Sequence, residues 1–269
     1  MRLSIQHRTR YRYEGPVAYS AQVLRLTPAQ FASQKTVNWK VECAPAATLR
    51  EGRDGFGNVT HFLAVNRPHD EIEILAAGIV ETTDAAGVVS GIADPVPHAV
   101  YLRHTPLAEP APAIAALVET TPGADRIAWL HALMNIIREK VAYVAGVTHA
   151  MTTAAQALNA GHGVCQDHAH IFITAARLAG IPSRYVTGYL LIDEAAQAVA
   201  HHAWGEAWVP GLGWLAFDPA NGICPTDRYV RLAVALDARY AAPIRGTHLG
   251  GVGEELAVEV RVQQVAPQQ

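Results

Sequence analysis

The strongest constraint on the fold is a change of hydrophobic period partway along the chain. Up to about residue 90, apolar and polar residues tend to alternate, as they do on strands with one buried face. LSIQHRTRYRY, VLRLTP, KTVNWKVEC, NVTHFLAV and EIEILAAGIVET read as strands. Turn signals separate them: EGP at 14–16, CAPAA at 43–47, RDGFGN at 53–58 and NRPHD at 66–70. Several short strands at close spacing predict an antiparallel β-sandwich-like domain over residues 1–90. Residues 91–123 hold DPVPH, TPLAEPAPA and TPG and read as a Pro-rich linker, with a short helix at AIAALVE.

From residue 124 the spacing turns helical. In ADRIAWLHALMNIIREKVAY, Ile127, Leu130, Leu133, Met134, Ile137 and Val141 share one face. TTAAQALNAG reads as a short helix, capped by Thr152 or Thr153 and ended by Gly161. VCQDHAHIFITAARLAGIP reads as a third helix, stopped by Gly180 and Pro182. Strands follow at SRYVTGYLLI, AHHAWGEAWV and GWLAFDP, the last two flanking a PGLG turn, and ELAVEVRVQQV reads as a final strand. The expected fold class is α+β, with residues 124–269 forming a core of helices packed on an antiparallel sheet.

Composition excludes several functions. Half of the 269 residues are hydrophobic and 17% are charged, which describes a globular chain. A net charge of -3 and a pI near 6.5 give no basic patch for nucleic acid. No apolar run reaches the roughly 18 residues of a membrane span, and MRLSIQHRTR is too charged for a secretory signal. The expected compartment is the cytoplasm, where Cys43, Cys165 and Cys224 stay reduced. Oligomeric state leaves no mark in the sequence.

One stretch concentrates reactive chemistry: GHGVCQDHAH at 161–170. Cys165 opens a helix, where unpaired N–H groups and the helix dipole favour a thiolate and can hold an oxyanion. Gly161 and Gly163 would let backbone approach a substrate. Cys43 and Cys224 read as structural. A thiol nucleophile needs a base and the base an orienting group. His201 and His202 precede Ala203-Trp204 on one arm of the downstream hairpin, and Asp218 ends the other. Depending on where the turn centres, His202 and Asp218 are cross-strand partners or offset by about three residues. A zinc site built from Cys165, Asp167, His168, His201 and His202 is the competing reading, but HEXXH and paired CXXC motifs are absent. The favoured reading calls for no metal and no cofactor.

GVCQDHAH, HAW and GWLAFDPANG, in that order, resemble the three motif blocks of the transglutaminase-like superfamily. More narrowly, they resemble its bacterial branch of cysteine proteases. AARLAGIPSRYVTGYL matches the passage between blocks. YRYEGPVAYSAQVLRLTP resembles the β-rich domain that precedes the core, so the likeness spans nearly the whole chain. The resemblance implies a papain-like, transglutaminase-like core with Cys165 as nucleophile, His202 as base and Asp218 as orienting acid. Two positions depart from the pattern: His168, where a bulky apolar residue is expected, and Gly205, where an aliphatic one is commoner.

Other roles are expected as follows. Gln166, Trp204, His168 and His162 are candidates for substrate or oxyanion contact, with His168 also placed to tune the thiolate. Asp167 is expected to cap the helix. His170, Trp208 and Trp214 read as packing residues, while Tyr185 and Tyr189 either pack or line the cleft. The expected activity is acyl transfer from an amide or peptide substrate through a thioester. Hydrolysis is favoured. The alternatives are transglutamination with an amine acceptor, or a non-catalytic peptide-binding module that kept the fold.

Overall fold

A computed structural model describes residues 1–192 and 201–266. The expected strand AHHAWGEAWV begins at Ala200, which lies outside the described residues, as do 193–199 and 267–269 of the expected core.

The alternating first segment becomes one strand, β1 (Arg2–Leu24), longer than expected. Leu3, Ile5, His7 and Thr9 point inward while Arg8, Arg10 and Arg12 point toward solvent. The turn expected at 14–16 does not form. β1 runs through it as a bulge, with register shifts between Tyr13 and Tyr19 and Gly15 at a φ of +90°. β2 (Gln34–Ala44), β3 (Leu49–Arg53), β4 (Val59–Val65) and β5 (His69–Thr82) complete an antiparallel sheet in the order β2-β5-β1-β4-β3.

After β6 (Val88–Val89), two 3-10 turns lead to α1 (Pro112–Thr120). This stretch is not the free linker that its prolines suggest. β6 pairs with the core sheet, and Ala108, Ile114 and Leu117 are buried in the helical core. α2 (Arg126–Lys140) starts at Asp125, whose carboxylate caps the Ala128 N–H at 2.9 Å. Then come β7 (Ala142–Tyr143), α3 (Ala154–Ala160), β8 (His162–Gly163) and α4 (Cys165–Leu178). Thr153, of the two candidates, caps α3 in a reciprocal capping box with Gln156. β9 (Ser183–Leu190), β10 (His201–Val209), β11 (Gly213–Phe217) and β12 (Tyr229–Ala235) form the second sheet, in the order β12-β9-β10-β11-β6.

β13 (Ile244–Gln264) departs furthest from expectation. It does not close the core. It returns to the N-terminal sheet and pairs antiparallel along the whole of β1, from Leu3↔Gln264 to Leu24↔Ile244. The reason lies in burial: the core sheet already ends in β12, and Val260 and Val262 pack on the apolar cluster of β1.

α1–α4 cover the core sheet through Ile171, Phe172, Ile173 and Phe217. The N-terminal sheet packs on the core sheet through Tyr189, Val230 and Leu232. The sandwich-like packing is therefore between the two sheets. Burying each such side chain contributes about 1.5–3 kcal/mol. Among the described residues, no helix is long and apolar enough to cross a membrane.

Candidate functional site

Cys165 is the first residue of α4 and is half-buried. Gly161 ends α3 in the left-handed region at φ +69°, and the chain turns directly into the new helix. Asp167 fixes that start: its Oδ2 accepts the Val164 N–H at 2.8 Å and the Thr148 hydroxyl at 2.7 Å. Gly163 makes room for Asp167, since a Cβ there would lie 2.7 Å from the aspartate Cβ. The two glycines thus shape the helix start. Among the described residues, the first-turn N–H groups of Cys165 and Gln166 have no intramolecular acceptor.

The hairpin supplies the partners. Trp208 pairs with Trp214 and Gly205 with Phe217, so the turn centres on Gly211. Extended by one residue, this register sets Asp218 opposite Trp204, two residues from His202 and on the same face. His202 Nε2 and Asp218 Oδ2 are 2.7 Å apart. The remaining ring nitrogen, Nδ1, makes no bond among the described residues, and Cys165 is near enough to interact electrostatically with the imidazole. Burial alone would lower the His202 pKa, but the interactions with Asp218 and Cys165 outweigh it and raise it above the usual histidine range. Burial alone would raise the Asp218 carboxyl. The bonds from His202, Tyr229 and Asn221 hold it below the usual carboxylate range.

Asp218 is fully buried and both its oxygens are engaged. Oδ2 accepts from the Tyr229 hydroxyl and Asn221 Nδ2, each at 2.7 Å, as well as from His202. Oδ1 accepts the N–H groups of Ala220 and Asn221. The carboxylate is therefore a fixed acceptor, able to hold one tautomer and orientation of the imidazole.

The remaining candidates separate. Trp204 is buried and stacks on the His202 ring at 6.3 Å, so it walls the base. Gln166 stays at the site, its side chain donating to Ala150 O at 3.4 Å. His168 does not line the cleft. It is 1% exposed, with ring nitrogens 2.9 Å from Val164 O and 2.8 Å from Val141 O, and it ties α4 to the segment leading into β7. His162 lies on β8, and its buried Nδ1 has no hydrogen-bond partner among the described residues. Gly205 is explained by Phe172, whose ring would lie 2.5 Å from an added Cβ.

His170 is a core histidine: its Nε2 accepts the Ala238 N–H, and burial lowers its pKa to about 3. Trp208 and Trp214 pack on each other and on His98. Burial pushes the Cys224 thiol up to about 11. Among the described residues, no group of three or more His, Cys, Asp or Glu side chains is arranged to hold a metal ion.

Sequence reading missed two tyrosines. Tyr143 on β7 interacts electrostatically with Cys165 and stacks over His168 at 6.2 Å. Its pKa rises to about 12, through burial first and then the charges around it. Tyr229 bonds Asp218 from the far strand β12. Neither carries a local signal, because both act through long-range sheet and helix placement.

A thiol at a helix start, an imidazole and a buried carboxylate from adjacent strands, on helices packed against an antiparallel sheet, describe a papain-like class of core. The comparisons narrow this. Residues 3–81 match the bacterial transglutaminase-like N-terminal region, and residues 114–219 match the transglutaminase-like superfamily. The chain belongs to the transglutaminase-like superfamily. An uncharacterized protein of Mycobacterium leprae is 30% identical, with 98% of this chain and 99% of that protein aligned. An uncharacterized protein of Mycobacterium tuberculosis is 29% identical over 91% of this chain and 87% of its own length. A protein-glutamine gamma-glutamyltransferase of Pseudomonas aeruginosa is 35% identical over 30% of this chain and 13% of its own length. Among solved structures, a candidate cysteine protease from Cytophaga hutchinsonii covers 100% of this chain and 92% of its own, with a TM-score of 0.77 and 20% identity.

Proposed function

We propose that the protein is a cysteine-dependent acyl-transfer enzyme that cleaves amide or peptide bonds, with Cys165, His202 and Asp218 as its catalytic residues. The observation that carries this is the 2.7 Å bond between His202 and the buried Asp218 carboxylate, with Cys165 at the start of α4 near enough to interact electrostatically with the same imidazole. In this reading the Cys165 sulfur attacks the carbonyl carbon. The N–H groups of Cys165 and Gln166 and the Tyr143 hydroxyl are the donors available to the oxyanion. The C–N bond breaks as His202 passes its proton to the departing amine. Water, deprotonated by His202, then attacks the thioester and releases the acid and the thiol. Hydrolysis needs no second binding site. A second reading, transfer to an amine, is favoured by the name of the local Pseudomonas relative.

The first test needs no substrate. Iodoacetamide near neutral pH should alkylate Cys165 well ahead of Cys43 and Cys224, and His202→Ala should remove the advantage. Equal reaction at all three thiols sinks the mechanism. A screen of peptide, isopeptide and γ-glutamyl amides, with and without primary amines and read by mass spectrometry, separates hydrolysis from transfer. On any substrate found, Asp218→Asn should cost about 10⁴-fold in kcat through loss of the correct imidazole tautomer.

A further inference from the structure

At Gln166, the residue after Cys165, opens a cleft with a marked chemical bias. It runs from the first turn of α4, at Gln166, toward the segment that leads from β12 into β13. Tyr185, Ala242, Pro243 and Met151 give it an apolar lining. Thr187 and His201 are also there, but they satisfy each other at 2.9 Å, and burial lowers the His201 pKa to about 4, so the ring is neutral at ordinary pH.

Among the described residues, its charges are two arginines. Arg239 and Arg245 both line the cleft and both are solvent-exposed. Among the described residues, neither guanidinium has a hydrogen bond or an ion pair, and no acidic side chain lines the cleft. Elsewhere the arginines of β1 are matched by Glu71 and Glu73, and Arg184 and Arg231 are matched by Glu206. Two unmatched guanidinium forks over an apolar wall suit a short aliphatic chain that ends in a carboxylate.

We propose that this cleft is a substrate subsite that selects an acidic residue, glutamate by its reach, close to the bond attacked by Cys165. This rests on the proposed function and supplies the substrate class that it leaves open. In the bound state the side-chain methylenes lie against Met151 and Pro243, and the carboxylate is shared by Arg239 and Arg245.

Equilibrium binding tests the subsite without catalysis. The Cys165→Ala protein is titrated calorimetrically with the acetylated tetrapeptide amide Ala-Glu-Gly-Ala and with its Ala-Gln-Gly-Ala counterpart. At low salt the glutamate peptide should bind about tenfold more tightly. Arg239→Gln and Arg245→Gln, singly, should each reduce that preference several-fold, and together should abolish it while leaving the glutamine peptide unchanged. Equal affinity for the two peptides, or a preference that survives in the double variant, overturns the proposal. Circular dichroism of each variant guards against misfolding, as both arginines are exposed and make no side-chain hydrogen bond or ion pair among the described residues. Iodoacetamide labelling of Cys165 in the parent protein keeps the two readings apart. A sluggish thiol with intact glutamate preference defeats the enzyme and spares the subsite, whereas a fast thiol without preference does the reverse.

Discussion

Both sheets are antiparallel, yet they treat charge in opposite ways. The outer face of the N-terminal sheet carries a ladder in which Arg10 and Arg12 of β1 meet Glu73 and Glu71 of β5 at 2.6 and 2.9 Å, all partly in solvent. The core sheet buries its charges. Glu206 is fully buried and is shared by Arg184 at 2.6 Å and Arg231 at 2.8 Å, while the Arg184 guanidinium lies 3.9 Å over the Trp214 ring. Each guanidinium pushes the Glu206 carboxyl down against the opposing effect of burial. Similar ion pairs thus serve different ends. The ladder keeps a solvent-facing sheet soluble, whereas the buried set fixes how β9, β10 and β12 align. That alignment also places His202 on β10 and Tyr229 on β12 around Asp218.

The largest effect expected from breaking this contrast is at Glu206. Glu206→Gln leaves two buried guanidinium groups short of a counter-charge and should cost about 3–5 kcal/mol in urea unfolding. A loss under about 1 kcal/mol would show that water reaches the cluster.

The layer between the sheets should respond to acid. His7 of β1 contacts Tyr189 and His201 there, with burial lowering His7 to about 3 and His201 to about 4. Below about pH 6.5 the unfolded chain takes up protons that the folded state refuses, so stability falls with pH. By pH 5 the loss should be about 2 kcal/mol per histidine. Urea midpoints at pH 7 and 5 measure it, and His7→Gln should remove one histidine's share. A midpoint that does not move between those pH values refutes the neutral, buried pair.

The smallest effect is expected in the ladder. Glu71→Gln should leave the unfolding midpoint unchanged within error at physiological salt. A clear shift would mean that the ladder acts as a network and not as separate surface pairs.

The same contrast explains what could be read in advance. Strands with one wet face announce themselves by alternation, as β1 and β5 do. β9, β10 and β12 are buried on both faces: the first two are legible through the PGLG turn and flanking motifs, not through period, and β12 is not legible as a strand at all. The residues that make the candidate site were readable because helix start, hairpin and aspartate each leave a local mark. Tyr143, Tyr229 and the inward turn of His168 leave none, since they depend on which distant elements meet. The destination of β13 was hidden for the same reason: its alternation fits either sheet, and only the shared apolar cluster with β1 decides.

The pairing of β13 with β1 makes the helical core an insertion between two neighbouring strands of one sheet. During synthesis β1 must wait for residues 244–264, about 220 residues later, roughly 10–40 s at ordinary translation rates. Throughout that interval one edge of a 23-residue strand stands open.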